Sequence, residues 1–334
     1  MKVDQLKSYS KILLDDKSSD PELEDAAQLL TDFFEAFSSI KNRQNLKSKQ
    51  EAILSRGTVI SPSGAAMCTQ DSLRVSYFLR GAFQAINDFL YKFKNRPIHI
   101  LYAGSGPYGT LLIPLLPYFS SKDIQITILD YHEVSLKSVS NIVEALGLNQ
   151  YFKKYIQADA TRYKHPKDDT IDIIVSETMT AALEKEMQVP ITLNLAPQLC
   201  KNGIFIPQNI AIKAMFLSVD NAFIKMGTDS KWNDALEFGT VFEIDKDRGI
   251  EFSKEINKDY ILANEITFPE NIKKDTHPFL ITEITVYDEI KMCGYQCTLN
   301  HPVGFPPYET KEASSKVDFI YKLNENLGLT SCNS

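Results

Sequence analysis

The sequence contains no apolar run that approaches the ~20 residues of a membrane-spanning helix. Its first ten residues, Met1 to Ser10, also lack the apolar core segment of a secretory signal peptide. Both absences predict a cytoplasmic protein with no membrane partner. Cysteine is scarce and odd in number, with five scattered residues, which disfavours the disulfide framework of a secreted domain. Cys293 and Cys297 lie four apart without a second pair, a spacing that leaves a zinc site open but favours ordinary packing thiols.

An excess of positive charge is also missing. The 36 lysines and arginines stand against 43 aspartates and glutamates, and the net charge of −7 disfavours nucleic acid as a partner while leaving room for a cationic substrate. The basic stretch Lys41 to Lys49 is interspersed with Asn and Gln and predicts a solvated helix face or linker. The histidines show no metal-ligand spacing, so we expect neither a bound metal nor a Cys-His nucleophile. They are His99, His132, His165, His277 and His301.

What the sequence does have is a glycine turn that follows a buried-strand pattern. The stretch from Ile98 to Gly109 (IHILYAGSGPYG) runs through Gly104, Ser105 and Gly106 into an apolar run, Leu111 to Leu116, which predicts a helix. Glycines at the carboxyl end of a first parallel strand let the backbone approach a ligand. The stretch therefore predicts a nucleotide-type cofactor pocket.

The segments around this turn predict the fold class. With 334 residues the chain is long enough for about two domains by the usual ~150-residue prior. Helical spacing predicts an amphipathic helix with Asp20 as its N-cap and a second from Asp71 to Phe93. Strands and helices then alternate, which predicts a doubly wound parallel sheet. The predicted strands are Ile98 to Tyr102, Ile124 to Leu129, Tyr155 to Gln157 and Ile171 to Val175, with a helix from Val134 to Leu146 and Gly147 as its C-cap.

Three features favour S-adenosylmethionine over a dinucleotide, because the glycine pattern and Asp130 at the next strand end suit both. Pro114 and Pro117 make a poor helix N-terminus for a pyrophosphate. Asp159, beside Ala160 at the third strand end, can accept the hydrogen of an adenine amino group, and Asp130 those of a ribose. The fourth strand ends in Ser-Glu-Thr-Met, where a methyl-transfer enzyme presents groups to its acceptor.

The run IIVSETMTAALEKEM resembles the double-glutamate loop of the protein arginine methyltransferases. Glu177 and Glu186 keep the spacing of that family, and the helix around Arg74 resembles the one whose arginine binds the methionine carboxylate of the cofactor. The sequence from Gly203 to Pro207 resembles the junction with a β-barrel. The resemblance, which spans Asp71 to Pro207, implies a Rossmann-like S-adenosylmethionine domain and methyl transfer to a guanidino nitrogen. It implies that Gly104, Ser105, Gly106, Asp130, Asp159 and Ala160 contact the cofactor with Arg74.

The chain also departs from the pattern of that family. Tyr102 stands where an Asp is usual, Thr178 stands where a bulky residue follows the first loop glutamate, and no Thr-His-Trp tripeptide occurs. The nearest echo of the tripeptide is Asp275 to Pro278. The missing tryptophan favours a free amino acid or another small guanidino compound over a histone-like peptide.

The two glutamates suit a guanidinium group on chemical grounds as well. The group is planar, cationic and rich in donors, so two carboxylates can hold it by charge-assisted hydrogen bonds and turn one nitrogen toward a methyl group. The alternative is that Glu177 and Glu186 face solvent in an ordinary charged helical turn. Arg74 has the corresponding alternative of a surface salt bridge.

We expect three parts: a helical N-terminal segment (1–95), a Rossmann-like cofactor domain (96–206) and a C-terminal β domain (207–334) that walls the acceptor site. Alternating apolar segments predict six or more strands beyond Pro207. They are Ile210 to Leu217, Val241 to Ile244, Tyr260 to Phe268, Phe279 to Val286, Met292 to Leu299 and Val317 to Lys322. In the resembling family an arm in this domain mediates a dimer, and Asn221 to Leu236, with the only Trp (Trp232), is the candidate here.

The sequence thus favours an S-adenosylmethionine-dependent N-methyltransferase that acts on arginine or a related small guanidino molecule and releases S-adenosylhomocysteine. A small-molecule methyltransferase with another nitrogen, oxygen or carbon acceptor stays open. So do a nicotinamide-dependent oxidoreductase that uses the same glycine turn and a catalytically silent partner protein that binds cofactor without consuming it.

Overall fold

The computed structural model describes residues 2–40, 51–93, 96–224, 235–267, 275–304 and 316–332. Two helices, α1 (Lys2–Leu14) and α2 (Asp20–Phe37), open the chain. The N-cap of α2 is Ser19, one residue before the predicted Asp20, because the Glu22 carboxylate accepts hydrogen bonds from the Ser19 backbone N–H at 2.8 Å and hydroxyl at 2.7 Å. The apolar face of α2 is buried as the spacing predicts.

A β-hairpin that the sequence did not predict follows, with strands β1 (Ala52–Leu54) and β2 (Gly57–Val59). The chain continues through α3 (Pro62–Met67) and a 3₁₀ turn (Cys68–Gln70) into the long helix α4 (Ser72–Lys92). The predicted helix from Asp71 to Phe93 is thus confirmed to within one residue at each end. The hairpin and α3 lie over the carboxyl edge of the central sheet, where the candidate site is found.

The central sheet has five parallel strands in the order β5-β4-β3-β6-β7. They are β3 (Ile98–Ala103), β4 (Ile124–Asp130), β5 (Phe152–Gln157), β6 (Ile171–Ser176) and β7 (Leu199–Ile206). The first four confirm the predicted strands, and β7 adds a fifth. Because the chain builds the sheet outward from β3 on one side and then returns to β6 on the other, the carboxyl ends of β3 and β6 form the topological switch point.

Helices connect most of these strands. Helix α5 (Glu133–Leu146) joins β4 to β5 and ends at Gly147, which has a left-handed φ of 67° and confirms the predicted C-cap. Helix α6 (Gln188–Leu195) lies between β6 and β7. The helix predicted from Leu111 to Leu116 is a 3₁₀ helix that begins two residues later (Ile113–Tyr118), because Pro114 and Pro117 lack the N–H groups that an α-helix needs.

The C-terminal β domain consists of two antiparallel sheets. One has the order β13-β12-β8-β9 with β14 on β12, and the other the order β10-β15-β11 with β16 on β15. The backbone N–H of Asn264 donates to Val241 O at 2.7 Å and joins the two sheets into a barrel-like unit. The elements are β8 (Asn209–Ser218), α7 (Val219–Ala222), β9 (Leu236–Asp245), α8 (Lys246–Phe252), β10 (Tyr260–Leu262), β11 (Ile266–Thr267), β12 (Thr276–Tyr287), β13 (Ile290–Met292), β14 (Val303–Gly304), β15 (Lys316–Lys322) and β16 (Gly328–Cys332).

Five of the six predicted β segments contain strands, and one does not. The segment from Met292 to Leu299 is wrong as a strand, since β13 ends at Met292 and a 3₁₀ turn (Thr298–Asn300) follows. The predicted segment from Tyr260 to Phe268 is interrupted between β10 and β11, and Phe268 lies outside the described residues. Within the described ranges, no helix has the length and apolarity to cross a membrane.

Candidate active site

The glycine turn after β3 has the conformation that its residues predict. Gly104, Gly106 and Gly109 have φ values of 75°, 60° and 58°, in the left-handed region that favours glycine. A Cβ atom on Gly104 would lie 2.3 Å from the Thr178 Cγ2 methyl, so the turn after β3 and the loop after β6 can approach this closely only with glycine here. The backbone of this turn is therefore open to a ligand.

Asp130, at the end of β4, is held against the same turn. Its Oδ2 accepts the Gly106 N–H at 3.0 Å and its Oδ1 accepts the His132 N–H at 2.9 Å. Burial raises the pKa of this carboxyl, and the two backbone donors oppose the shift because they favour the ionised form. Oδ2 also accepts the Ser105 hydroxyl at 3.5 Å, so Oδ1 is the oxygen that keeps a lone pair for a further donor.

Asp159 follows β5 and also lines the cleft, but part of its carboxylate is used locally. Its Oδ1 accepts both the N–H of Thr161 at 2.8 Å and the Thr161 hydroxyl at 2.7 Å. Oδ2 lies 3.8 Å from the Arg162 Nε. Oδ2 is thus the oxygen that is open to a further donor, and Ala160 beside it leaves the wall of the cleft apolar and small.

Glu177, directly after β6, forms a buried ion pair with Arg74 of α4. The Arg74 Nε donates to Glu177 Oε2 at 2.8 Å, and Arg74 Nη2 donates to the same oxygen. The side chains are 6% (Glu177) and 10% (Arg74) exposed, so the alternatives of a solvent-facing glutamate and a surface salt bridge are wrong. Burial raises the pKa of Glu177 while the Arg74 charge opposes the shift. The other oxygen, Oε1, is buried and makes no hydrogen bond within the described part of the chain.

Glu186 lies on the same loop and faces the same cleft. Burial, together with the nearby Glu177 charge, raises the pKa of Glu186 to about 7. The helical turn offered as an alternative is wrong, because the loop leaves helical geometry: Ala182, Leu183 and Lys185 have φ values of 55°, 56° and 63°. Left-handed backbone at non-glycine residues is costly and persists only where surrounding structure holds it.

The β domain and the β1-β2 hairpin hold this loop. Thr282 of β12 accepts the Ala182 N–H at 2.8 Å, and the buried Tyr321 hydroxyl of β15 donates to Leu183 O at 2.8 Å. The two backbone groups of Lys185 are also used: its N–H donates to Leu327 O at 3.1 Å, and its carbonyl accepts the Thr58 N–H at 2.7 Å. The glutamate loop is therefore shaped by residues far away in sequence, for which the sequence carries no signal.

One cleft is lined by all nine predicted site residues. They are Arg74, Gly104, Ser105, Gly106, Asp130, Asp159, Ala160, Glu177 and Glu186. The role of each in binding or catalysis stays a prediction. The segment from the β1-β2 hairpin to the start of α4 covers the cleft, which the sequence did not predict. Its lining residues are Thr58, Val59, Ile60, Pro62, Ala65, Cys68 and Thr69.

Gln188 is a further residue that the sequence did not point to. Its Oε1 accepts both the N–H of Thr178 at 2.9 Å and the Thr178 hydroxyl at 3.1 Å. These two bonds fix the Thr178 rotamer whose methyl group packs on Gly104. Gln188 thus sets the spacing between the glycine turn and the glutamate loop.

The cysteine and histidine predictions have different outcomes. Cys297 is buried and donates to Asn300 Oδ1 at 3.1 Å, as a packing thiol does, and Cys293 joins no metal-type cluster within the described ranges. Folding brings His99 and His165 together with Asp169, a grouping that their spacing in the sequence does not indicate. The expectation that no metal binds stays a prediction. His277 in the Asp275 to Pro278 stretch is exposed at the start of β12.

Two predictions cannot be compared with the structure. Residues 41–50 and 225–234, which include the basic stretch and Trp232, lie outside the described residues.

Solved structures resemble this fold. The chain matches the Trypanosoma brucei PRMT1 enzyme-prozyme heterotetrameric complex with AdoHcy at 14% identity and a TM-score of 0.52, over 76% of this chain and 86% of that one. It matches PRMT6 at 9% identity and a TM-score of 0.54, over 81% and 99% of the two chains. It matches Arabidopsis thaliana protein arginine methyltransferase 10 at 10% identity and a TM-score of 0.53, over 79% and 94%.

At these identities the likeness concerns the fold. It confirms the fold that the sequence resemblance implied, a Rossmann-like domain followed by a β-barrel-like domain. No protein-family model matches the sequence, and a search of curated proteins finds no match.

Proposed function

We propose that this protein is an S-adenosylmethionine-dependent N-methyltransferase whose acceptor is a guanidino nitrogen of arginine or a related small molecule. The observation that carries the proposal is the state of Glu177. One carboxylate oxygen accepts from Arg74, and the other is buried and accepts no hydrogen bond from the described residues, in a cleft that also contains Glu186. Burying an unsatisfied acceptor is costly, which indicates that a ligand supplies the donor.

The residues at the sheet edge fit the proposed cofactor. Asp130 would accept hydrogen bonds from the ribose hydroxyls, and Asp159 Oδ2 would accept one from the adenine amino group. The backbone of Gly104, Ser105 and Gly106 would contact the cofactor directly. Arg74 would hold the methionine carboxylate; its Nε and Nη2 edge donates to Glu177, which leaves Nη1 for this contact. The cofactor supplies an electrophilic methyl group on a sulfonium centre.

The two glutamates would bind and orient the acceptor. A guanidinium is a planar cation that offers five N–H donors and accepts no hydrogen bond, so Glu177 Oε1 and the Glu186 carboxylate can each take a donor from it. This fixes the rotation of the plane, and holding two reactants in a near-attack geometry lowers the barrier by up to ~7 to 11 kcal/mol. When the nitrogen has been methylated, the proton that it loses passes to Glu186 or to solvent.

The pKa of Glu186 predicts a pH dependence for acceptor use. Because this carboxyl is protonated below about pH 7 in the free enzyme, we expect kcat/KM for a guanidino acceptor to fall as the pH is lowered through 7. The guanidinium itself stays charged over this pH range, so its own ionisation does not change the rate. The measurement is the initial rate at low acceptor and saturating cofactor from pH 5.5 to 8.5. A flat profile in a protein that stays folded would contradict the assigned role of Glu186.

Ligand-induced stabilisation distinguishes the cofactor classes. A ligand that binds the folded state alone raises the melting temperature, by an amount that corresponds to about 2.7 kcal/mol at a hundredfold excess over Kd. We expect S-adenosylhomocysteine to raise it and NADH to leave it unchanged. The opposite result would favour the nicotinamide-dependent oxidoreductase. Stabilisation by S-adenosylhomocysteine without turnover on any acceptor would favour the catalytically silent partner.

We also propose that the protein forms a homodimer through the segment around residues 221–236. Large apolar side chains are exposed on both sides of its undescribed part, with Phe223, Ile224 and Leu236 48%, 57% and 49% exposed. Exposed apolar groups of this kind mark interaction surfaces. Light scattering coupled to size-exclusion chromatography should give twice the mass of one chain, and an Ile224→Glu, Leu236→Glu variant should give the mass of a single chain. A monomeric native protein would contradict the proposal.

A further inference from the structure

Two histidines and an aspartate meet at the edge of the central sheet opposite the cleft. His99 is the second residue of β3, so it lies at the amino end of the strand whose carboxyl end carries the glycine turn. His165 and Asp169 come from the segment between β5 and β6. The side chains of both histidines are only 5% exposed, and the nearest ligand-type atoms of the three residues all lie within 4.8 Å of one another.

The separations within this cluster match those of a metal coordination sphere. His99 Nδ1 lies 3.3 Å from Asp169 Oδ1, and His165 Nε2 lies 3.4 Å from Asp169 Oδ2. Ligand atoms bound to a tetrahedral zinc ion at about 2.0 to 2.1 Å are themselves roughly 3.3 Å apart. The three side chains are therefore close enough together to share one ion. His99 Nδ1 also lies 3.0 Å from Thr170 O, so metal binding has to replace this contact and displace the proton that it holds.

The outer hydrogen bonds of the two imidazoles suit metal binding. The second nitrogen of His165, Nδ1, lies 3.1 Å from the Tyr163 hydroxyl, and the second nitrogen of His99, Nε2, lies 2.8 Å from Thr127 Oγ1. Partners of this kind orient metal-binding histidines. The inner nitrogen of His165, Nε2, is buried, and its nearest polar partner is Asp169 Oδ2 at 3.4 Å.

We propose that His99, His165 and Asp169 form a binding site for a divalent transition metal, best matched by zinc, with solvent completing the coordination. Two imidazoles and one carboxylate are a donor set that zinc accepts in proteins. Without a metal, the Asp169 carboxylate is paired with Lys153, whose Nζ lies 2.5 Å from Asp169 Oδ1. The lysine side chain is 38% exposed, so it can swing into solvent when a dication takes its place.

The consequence of binding would be structural. An ion held by these residues ties β3 to the segment between β5 and β6, and that segment begins with the cleft residues Ala158, Asp159 and Ala160. The metal-binding residues themselves do not line the cleft. The site therefore stands apart from the proposed methyl transfer, and its test does not depend on that activity.

The test uses the full chain after removal of metals by a chelator. On titration with Zn²⁺ we expect a single equivalent to bind and the melting temperature to rise by roughly 3 to 6 °C at high excess. Titration with Co²⁺ should give visible absorption from a low-coordinate centre that Zn²⁺ displaces. Lys153→Met should strengthen binding roughly tenfold, because it removes a positive charge beside the ion.

Matched histidine variants locate the ion. His165→Gln should lose the cobalt absorption and the zinc-dependent stabilisation, whereas His277→Gln, which alters an exposed histidine outside the cluster, should keep both. Native protein that binds neither ion would overturn the proposal and leave the cluster a plain His-Asp-Lys hydrogen-bonded network. Binding that survives in His165→Gln would overturn it as well, since the ion would then lie elsewhere.

Discussion

Glu177→Gln is expected to lower turnover of a guanidino acceptor by about 10²- to 10³-fold, in line with the loss of one preorganised polar group in an active site. Arg74 offers only donors, so it will hold the amide oxygen of the new side chain in the place of Oε2. The amide nitrogen must then take the place of Oε1. It presents N–H donors to a guanidinium that has only donors itself, so the acceptor loses an attractive contact and meets a repulsive one.

The matched control is Glu184→Gln, which makes the same chemical change on the same loop at a residue that does not line the cleft. We expect it to keep full activity. Initial rates with saturating S-adenosylmethionine, S-adenosylhomocysteine affinity and melting temperature should be measured for both variants. Affinity for S-adenosylhomocysteine should be retained in Glu177→Gln, since the change acts on the acceptor. Turnover close to that of the native protein would show that the glutamates are bystanders and would favour another acceptor class.

Gly104→Ala is expected to weaken S-adenosylhomocysteine binding by at least about tenfold, for two reasons that act together. A left-handed residue with a side chain costs about 1 to 2 kcal/mol relative to glycine. The new Cβ would also lie 2.3 Å from the Thr178 methyl, which cannot rotate away without breaking the bond from its hydroxyl to Gln188. The glycine turn and the glutamate loop must therefore move apart, which distorts both halves of the cleft.

Gly147→Ala introduces the same kind of backbone strain without the steric contact, so it separates the two effects. Gly147 has a similar φ of 67° at the C-cap of α5, and a Cβ added there would meet no atom within 4 Å. This variant should lose stability from backbone strain alone and keep cofactor affinity. Calorimetric titration with S-adenosylhomocysteine, together with thermal melts, measures both effects. Equal affinities in the two glycine variants would contradict the idea that close contact between the two loops shapes the cofactor pocket.

Much of the central sheet could be predicted because its signals are local. Buried strands separated by helical segments determine a parallel sheet, and the carboxyl ends of such strands meet at one edge. Residues that follow three of these strands, Gly104, Asp130 and Glu177, were therefore expected to lie together, and they do. The C-cap of α5 at Gly147 could be predicted equally well, since its left-handed conformation depends on that one residue.

The parts that could not be predicted depend on contacts between distant residues. The loop that carries Glu186 has non-glycine residues in left-handed conformations, which no local propensity favours, and it is held by Thr282 and Tyr321 from the β domain. The pairing of His99 with His165 requires the sheet to be formed first, because the two residues are 66 positions apart in the sequence. The short β1-β2 hairpin has no apolar alternation of its own and gains its place by packing on the glutamate loop.

The most direct test of the proposed function is to follow methyl transfer itself. The purified protein should be incubated with S-adenosylmethionine and, separately, with free arginine, other small guanidino compounds and an arginine-rich peptide, while S-adenosylhomocysteine release and acceptor mass are measured. We expect a small guanidino compound to gain the mass of a methyl group, with product formation matching S-adenosylhomocysteine release and absent in Glu177→Gln. Cofactor binding without methylation of any guanidino compound would contradict the assigned acceptor.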